Sequence, residues 1–182
     1  MKTWQTQLTA HDACRETVDW AQSFETFQAA WDACERGDWM LWWIGRTVLG
    51  APMSAERRPL VRIACACARL ALPHLPVGEM RPLATIELAE RWAQGDESVT
   101  RDQLYAAYAY AAADYAAAAA AAAAYAAYAA VVSAGPAVAA AAYAAVVSAG
   151  PAVAAAAARA KALAQCADFV RAEYPAPPQA TP

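Results

Sequence analysis

Between Tyr105 and Ala158 about two-thirds of the residues are alanine, and Asp114 carries the only charge. Alanine is the strongest helix former, so this run dictates helix and points to an all-α chain. A transmembrane span would need the Leu, Ile and Phe that the run lacks, because alanine contributes little to insertion. No membrane partner is expected. At about 100° per residue, Tyr105, Tyr108 and Tyr115 share one face, and Tyr110, Tyr125 and Tyr128 the other. Alanine lets helix backbones approach closely while tyrosines fill the gaps, so packed helices are expected here rather than disorder.

The run contains an identical repeat: residues 128–142 and 143–157 both read YAAVVSAGPAVAAAA. Two copies are too few for a solenoid. Pro136 and Pro151 cannot donate the helical hydrogen bond, and Gly before Pro suits a terminator followed by a first-turn proline. The expected helices are therefore 102–133, 136–148 and 151–173, broken at the Gly-Pro pairs. The proline-rich end, 175–182, is expected to be a disordered tail.

Ahead of the alanine run the chain is rich in tryptophan. Four of its seven tryptophans fall within Trp31–Arg46, WDACERGDWMLWWIGR. Trp20, Phe24, Phe27, Trp31 and Cys34 recur at spacings of four and three, which predicts one or two amphipathic helices over 12–36. Gly37 suits a left-handed helix end and Asp38 a cap for the next helix, Trp39 to Leu49, which is apolar nearly all round and should be central. Ser54 fits as cap of a helix over 55–72, with Leu60, Ile63, Cys67 and Leu70 on one stripe and Arg58, Arg62 and Arg69 on another. A further helix, 82–94, starts with Pro82 in its first turn and ends at Gly95. Thr100-Arg-Asp-Gln103 matches the capping box that would open the alanine region. The whole suits one domain: a helical bundle with a tryptophan-rich core over 1–104 and an alanine- and tyrosine-rich part over 105–174 packed on it.

Net charge is only −3, which does not call for nucleic acid or an anionic membrane. The charge is uneven, however. Residues 1–38 carry seven acids against three bases, and 39–82 carry six arginines against two acids. Such alternation usually reflects helices that pair across a solvated surface. The five cysteines are an odd number, and four lie among alanines in helical patterns, as buried reduced thiols of a cytoplasmic protein would.

Few residues suggest chemistry. Cys65 and Cys67 point about 200° apart on a helix, and His11 with Cys14 has no second pair to complete a metal site. The histidines, His11 and His74, suggest no Cys–His nucleophile. Glu87–Arg91 and Asp38–Arg46 read as capping or ion pairs rather than acid/base machinery. No cofactor, no metal and no enzymatic role are expected. Trp and Tyr are favoured hot-spot residues of protein interfaces. Trp42 and Trp43 point about 100° apart, so one of them is the candidate partner-facing ring.

The run Ala33-Cys-Glu-Arg-Gly-Asp-Trp-Met-Leu-Trp42 resembles the Imm5-like immunity protein family of bacteria and phages. So do Cys67-Ala-Arg-Leu70, Arg81-Pro82 with Ile86-Glu87 and Ala89-Glu90-Arg91-Trp92-Ala93-x-Gly95, and Gln165-Cys-Ala-Asp168-Phe-Val-Arg171. The likeness covers roughly residues 10–175, and the fifteen-residue duplication departs from it. It implies a protein that neutralises a cognate protein toxin by non-covalent binding. The surface it suggests runs along Asp38, Trp39, Trp42, Trp43 and Arg46, with Arg62 and Arg69 nearby if the helices pack as hairpins. Two rivals are a small-ligand or catalytic protein with a Trp-lined pocket, and an adaptor that self-associates into a homo-oligomer through its Ala/Tyr face.

Overall fold

The chain, as a computed structural model, is described over residues 3–48, 51–75, 77–112, 127–131 and 156–179, and its regular elements there are all helical. Eight α-helices can be numbered: α1 (Thr3–Ala10), α2 (Arg15–Ala21), α3 (Phe27–Ala33), α4 (Gly37–Thr47), α5 (Arg58–Arg69), α6 (Arg81–Ala93), α7 (Arg101–Ala112) and α8 (Ala156–Glu173). The described residues also include a short helical piece at 127–131 and two 3-10 turns, Ala55–Arg57 and Leu72–His74. The all-α class read from the sequence is what the chain adopts.

The helices pack in the order α4, α8, α5, α6, α7, each against the next. One buried cluster runs through them, from Trp31, Leu41 and Ile44 through Val61 and Ile63 to Ile86, Leu104, Val131 and Val170. Helix α8 therefore occupies the place beside α4 that a simple hairpin would give to α5. Its arrival is secured by polar contacts at the C-terminal end of α3. The Arg171 guanidinium donates to the carbonyl oxygens of Cys34 at 2.8 Å and Trp31 at 3.4 Å. Cys34 ends α3, where carbonyls run out of intrahelical donors, while Trp31 O also accepts from Cys34 N at 3.4 Å.

Several expected boundaries hold. Pro82 lies in the first turn of α6, and Gly95 follows that helix at φ +101°, in the left-handed region. Ahead of α7, Gln103 N donates to Thr100 Oγ1 at 3.2 Å while Thr100 N donates to Gln103 Oε1 at 2.8 Å, the reciprocal pair of a capping box. Thr100→Ala is expected to cost about 1 kcal/mol, read as a lower urea midpoint at unchanged slope.

The segment 12–36 forms two short helices, one of the two arrangements its spacing allows, separated at 22–26 where Thr26 Oγ1 accepts from Ala29 N at 3.1 Å and starts α3 afresh. The apolar stripe survives the break in packing: Trp20 and Phe24 have ring centroids 4.6 Å apart. Other expectations need correction. Helix α1 was not foreseen, since its sequence TWQTQLTA has little apolar periodicity. Its buried Gln5 donates to Ala21 O at 3.1 Å, closing the end of α2. The helix expected at 55–72 begins as a 3-10 turn, and Ser54 makes no side-chain cap there.

Gly37 is not a left-handed terminator but the first residue of α4. It is required by proximity. A Cβ there would lie 2.5 Å from Cys166 Cβ and 2.6 Å from Ala167 N, so α8 crosses against bare backbone.

A single helix over 102–133 is also excluded. Tyr108 and Tyr128 stack with centroids 5.0 Å apart and planes within 10°, whereas twenty residues of continuous helix span about 30 Å. Residues 127–131 lie alongside α7 instead, burying Ala127, Ala129 and Ala130. The piece is held from below by Met53 N, which donates to Val131 O at 3.1 Å, and by Arg57 Nε, which donates to Ala130 O at 3.1 Å. Tyr115, Tyr125, both Gly-Pro breaks and most of the repeat fall outside the described residues.

The expected free tail is docked over residues 175–179, the part that is described. Gln28 Nε2 donates to Pro175 O at 3.0 Å, Trp43 Nε1 donates to Pro178 O at 2.9 Å, and Pro177 is buried. A buried indole N–H needs an acceptor, and the proline-rich stretch supplies carbonyls that no helix has claimed.

Candidate functional site

Helix α4 positions most of the residues suggested by the sequence. Its inner face, Met40, Leu41, Trp43, Ile44 and Gly45, is buried. Trp43 is only 2% exposed, wedged between the Phe27 ring at 5.2 Å and the His11 ring at 5.5 Å. Of the adjacent pair, Trp43 is therefore core and Trp42 is the half-buried, outward ring. Trp39 is also half-buried. The 3.6-residue period places Trp39, Trp42 and Arg46 on one side of the helix.

Cations cover both rings. The Arg36 guanidinium carbon stands 4.3 Å from the Trp39 centroid, and that of Arg46 stands 5.9 Å from Trp42. The result is a stripe of two tryptophans closed at each end by arginine, an arrangement stabilised by the ring quadrupoles. Arg46 Nε is buried without a hydrogen-bond partner among the described residues. Such a donor costs free energy until something accepts from it.

Asp38 was expected to cap α4 and pair with Arg46. It lies in the first turn, 13% exposed, and accepts from Arg36 through both oxygens at 2.8 and 2.7 Å. The two-residue separation lets Arg36 fold back, which the distant Arg46 cannot match. Asp38 thus fixes the arginine that covers Trp39. Arg91 likewise pairs with Asp96 at 2.6 Å rather than with Glu87.

Arg62 and Arg69 are not part of this stripe. They lie on α5, with α8 between them and the main packing face of α4. Arg62 pairs with Glu173 at 2.6 Å and Arg69 with Glu90 at 2.7 Å, each through two nitrogens. These hydrogen bonds raise both guanidinium pKa values further.

Among the described residues, the inner faces of the tryptophans pack against one another. The void among Trp4, Trp20, Phe27, Trp31, Trp39 and Trp43 measures about 30 Å³. A pocket for a drug-sized ligand needs roughly 300 Å³ or more. The rings fill the space themselves: Trp4 stacks on Phe27 at 5.1 Å and 7°.

The thiols are chemically quiet. Burial pushes the Cys34 thiol up to about 11, and also pushes Cys65 and Cys67 well above the ordinary range. Cys34, Cys65, Cys67 and Cys166 are buried and reduced, while Cys14 is exposed. Native protein at pH 8 is expected to take up one equivalent of an alkylating reagent, at Cys14, and the remaining four only in denaturant, counted by intact mass. Below pH 9.0, Cys34 is protonated in both folded and unfolded chains and contributes no pH dependence. Stability then falls as pH rises from 9.0 towards 11, because the unfolded thiol ionises first.

Among the described residues no group of three metal-binding side chains occurs, and no helix is long and apolar enough to cross a membrane. The fold and its half-buried stripe define an all-α helical protein with an arginine-bounded tryptophan face. No protein-family model, no curated protein and no solved structure matches this chain.

Proposed function

We propose that this protein works by non-covalent binding, as a cytoplasmic immunity protein that holds a partner toxin on the outer face of α4. The observation that carries the reading is the Trp39–Trp42–Arg46 stripe with its covering guanidiniums. Tryptophan and arginine supply most of the energy at protein interfaces, where a ring and a planar cation bury large area with few rotamers to freeze. Arg46 brings a planar cation beside Trp42 at the edge of that face. The family likeness of the Gly37–Trp42 segment supports the same reading. The small void argues against the rival in which a ligand or substrate enters between the rings.

The test pairs cell rescue with co-purification. The protein is expressed beside each neighbouring open reading frame, and a frame lethal alone should be rescued and recovered in a stoichiometric complex. Trp42→Ala is expected to weaken that complex at least about tenfold, a hot-spot loss near 1.4 kcal/mol, measured well below the variant's own thermal midpoint so that lost packing on Trp43 does not enter. If no neighbouring product is toxic or captured, the immunity reading fails.

A further inference from the structure

Beside the Arg36 end of the stripe runs an open groove of about 270 Å³, lined by Glu16, Trp20, Cys34, Glu35, Arg36 and Trp39. It falls just under the roughly 300 Å³ floor of small-molecule pockets, which suits one long side chain better than a cofactor. Trp20 and Trp39 form its aromatic wall, centroids 5.7 Å apart and planes at 63°. Carboxylates supply the rim. Glu16 reaches Arg36 at 3.3 Å, and exposed Glu35 has no cation beside it among the described residues. Residues 12–38, which build two of the walls, hold seven carboxylates against Arg15 and Arg36. The modest net charge of the whole chain hides this local excess.

We infer that this groove receives an arginine side chain from a basic face of the partner protein, laid against Trp20 and Trp39 and paired with Glu35 and Glu16. The inference rests on the binding function proposed above and names the partner's chemistry. The fit is already displayed by the protein itself, since the Arg36 guanidinium stands over Trp39 within reach of Glu16. Aromatic faces attract cations most strongly where water is partly excluded, and a neighbouring carboxylate adds direction. Arg36 is then an internal occupant that the incoming arginine joins or displaces.

The test is a titration of the ¹⁵N-labelled full chain with the peptide acetyl-Gly-Arg-Gly-Arg-Gly-amide and with its citrulline twin, which keeps shape and loses charge. Indole N–H resonances are assigned through single Trp→Phe variants. The arginine peptide should move the Trp20 and Trp39 signals saturably, and the citrulline peptide should not. Glu35→Gln, at an exposed position, should weaken binding about threefold, the worth of one solvated carboxylate. Arg36→Ala should tighten it beyond Arg15→Ala, which removes the same charge outside the groove. Unmoved Trp20 and Trp39 signals, equal response to citrulline, or a silent Glu35→Gln would overturn the inference. Toxin capture indifferent to Glu35→Gln would also remove the groove while leaving the immunity function. Peptide binding without any neutralised toxin would do the reverse.

Discussion

Trp43→Ala is expected to destabilise the protein by about 3–5 kcal/mol, the range for deleting a large buried aromatic. Two losses combine. The ring vacates space against Phe27, His11 and Trp42, whose centroids lie 5.2, 5.5 and 6.2 Å away. Its N–H no longer meets Pro178 O, a bond of 2.9 Å, so the tail is released at that point. For a chain of this length each kcal/mol moves the midpoint by roughly 2–4 °C, and calorimetry should register a fall near 10 °C. Trp43→Phe keeps most of the packing and should lose about a third as much, close to the value of one hydrogen bond plus the missing ring area. A midpoint unchanged by Trp43→Ala would mean that the ring is not in the core.

Gly37→Ala is expected to lose roughly 2–3 kcal/mol, the cost of forcing a methyl into a filled interface. The sign is the informative part. In an exposed helix the same exchange gains about 0.5–1 kcal/mol, because alanine restricts the unfolded chain. Here the new Cβ would stand 2.6 Å from Ala167 N and 2.8 Å from Cys166 C, backbone atoms that cannot rotate aside. Only separation of α4 from α8 relieves the clash. Urea denaturation of Gly37→Ala beside Gly95→Ala separates the two causes. At Gly95 the nearest neighbour is a flexible Arg58 nitrogen at 3.8 Å, and the penalty comes from φ +101° alone. A Gly37→Ala midpoint at or above the parent's would show that the helices do not approach this closely.

The sequence made α6 and the entry to α7 legible because their punctuation is local. Pro82, Gly95 and the Thr100–Gln103 pair act within one turn of themselves, so neighbouring residues suffice to read them. The apolar α4 was legible from its composition instead, since residues apolar nearly all round demand a central helix. Gly37 was misread because a glycine before an Asp-Trp helix looks like a terminator, while its actual constraint comes from α8. The docked tail could not be read at all: Trp31 Nε1 meets Tyr174 O at 2.9 Å across 143 positions, and no local pattern encodes a carbonyl so far away. In the site, pattern alone singled out Trp39, Trp42 and Arg46. It could not choose between Trp42 and Trp43, and it joined Arg62 and Arg69 to the stripe by assuming a hairpin that α8 displaces. Trp20 and Glu16 were missed because α2 reaches the α4 stripe only through the fold, and Glu35, although next to Arg36 in sequence, carries no local pattern that marks a groove.

The partnership of α4 with α8 also sets an order of events at the ribosome. Helix α4 leaves the exit tunnel early, with Met40, Leu41, Trp43 and Ile44 turned toward a neighbour that is not yet made. At about 5–20 residues per second, the wait until α8 and the tail emerge is on the order of ten seconds. Through that interval the most apolar helix of the N-terminal part lacks its principal cover, and its closure requires one of the longest loops the chain can form. A transcript cut short before α8 would therefore yield a chain that chaperones retain or that aggregates, rather than a smaller working protein.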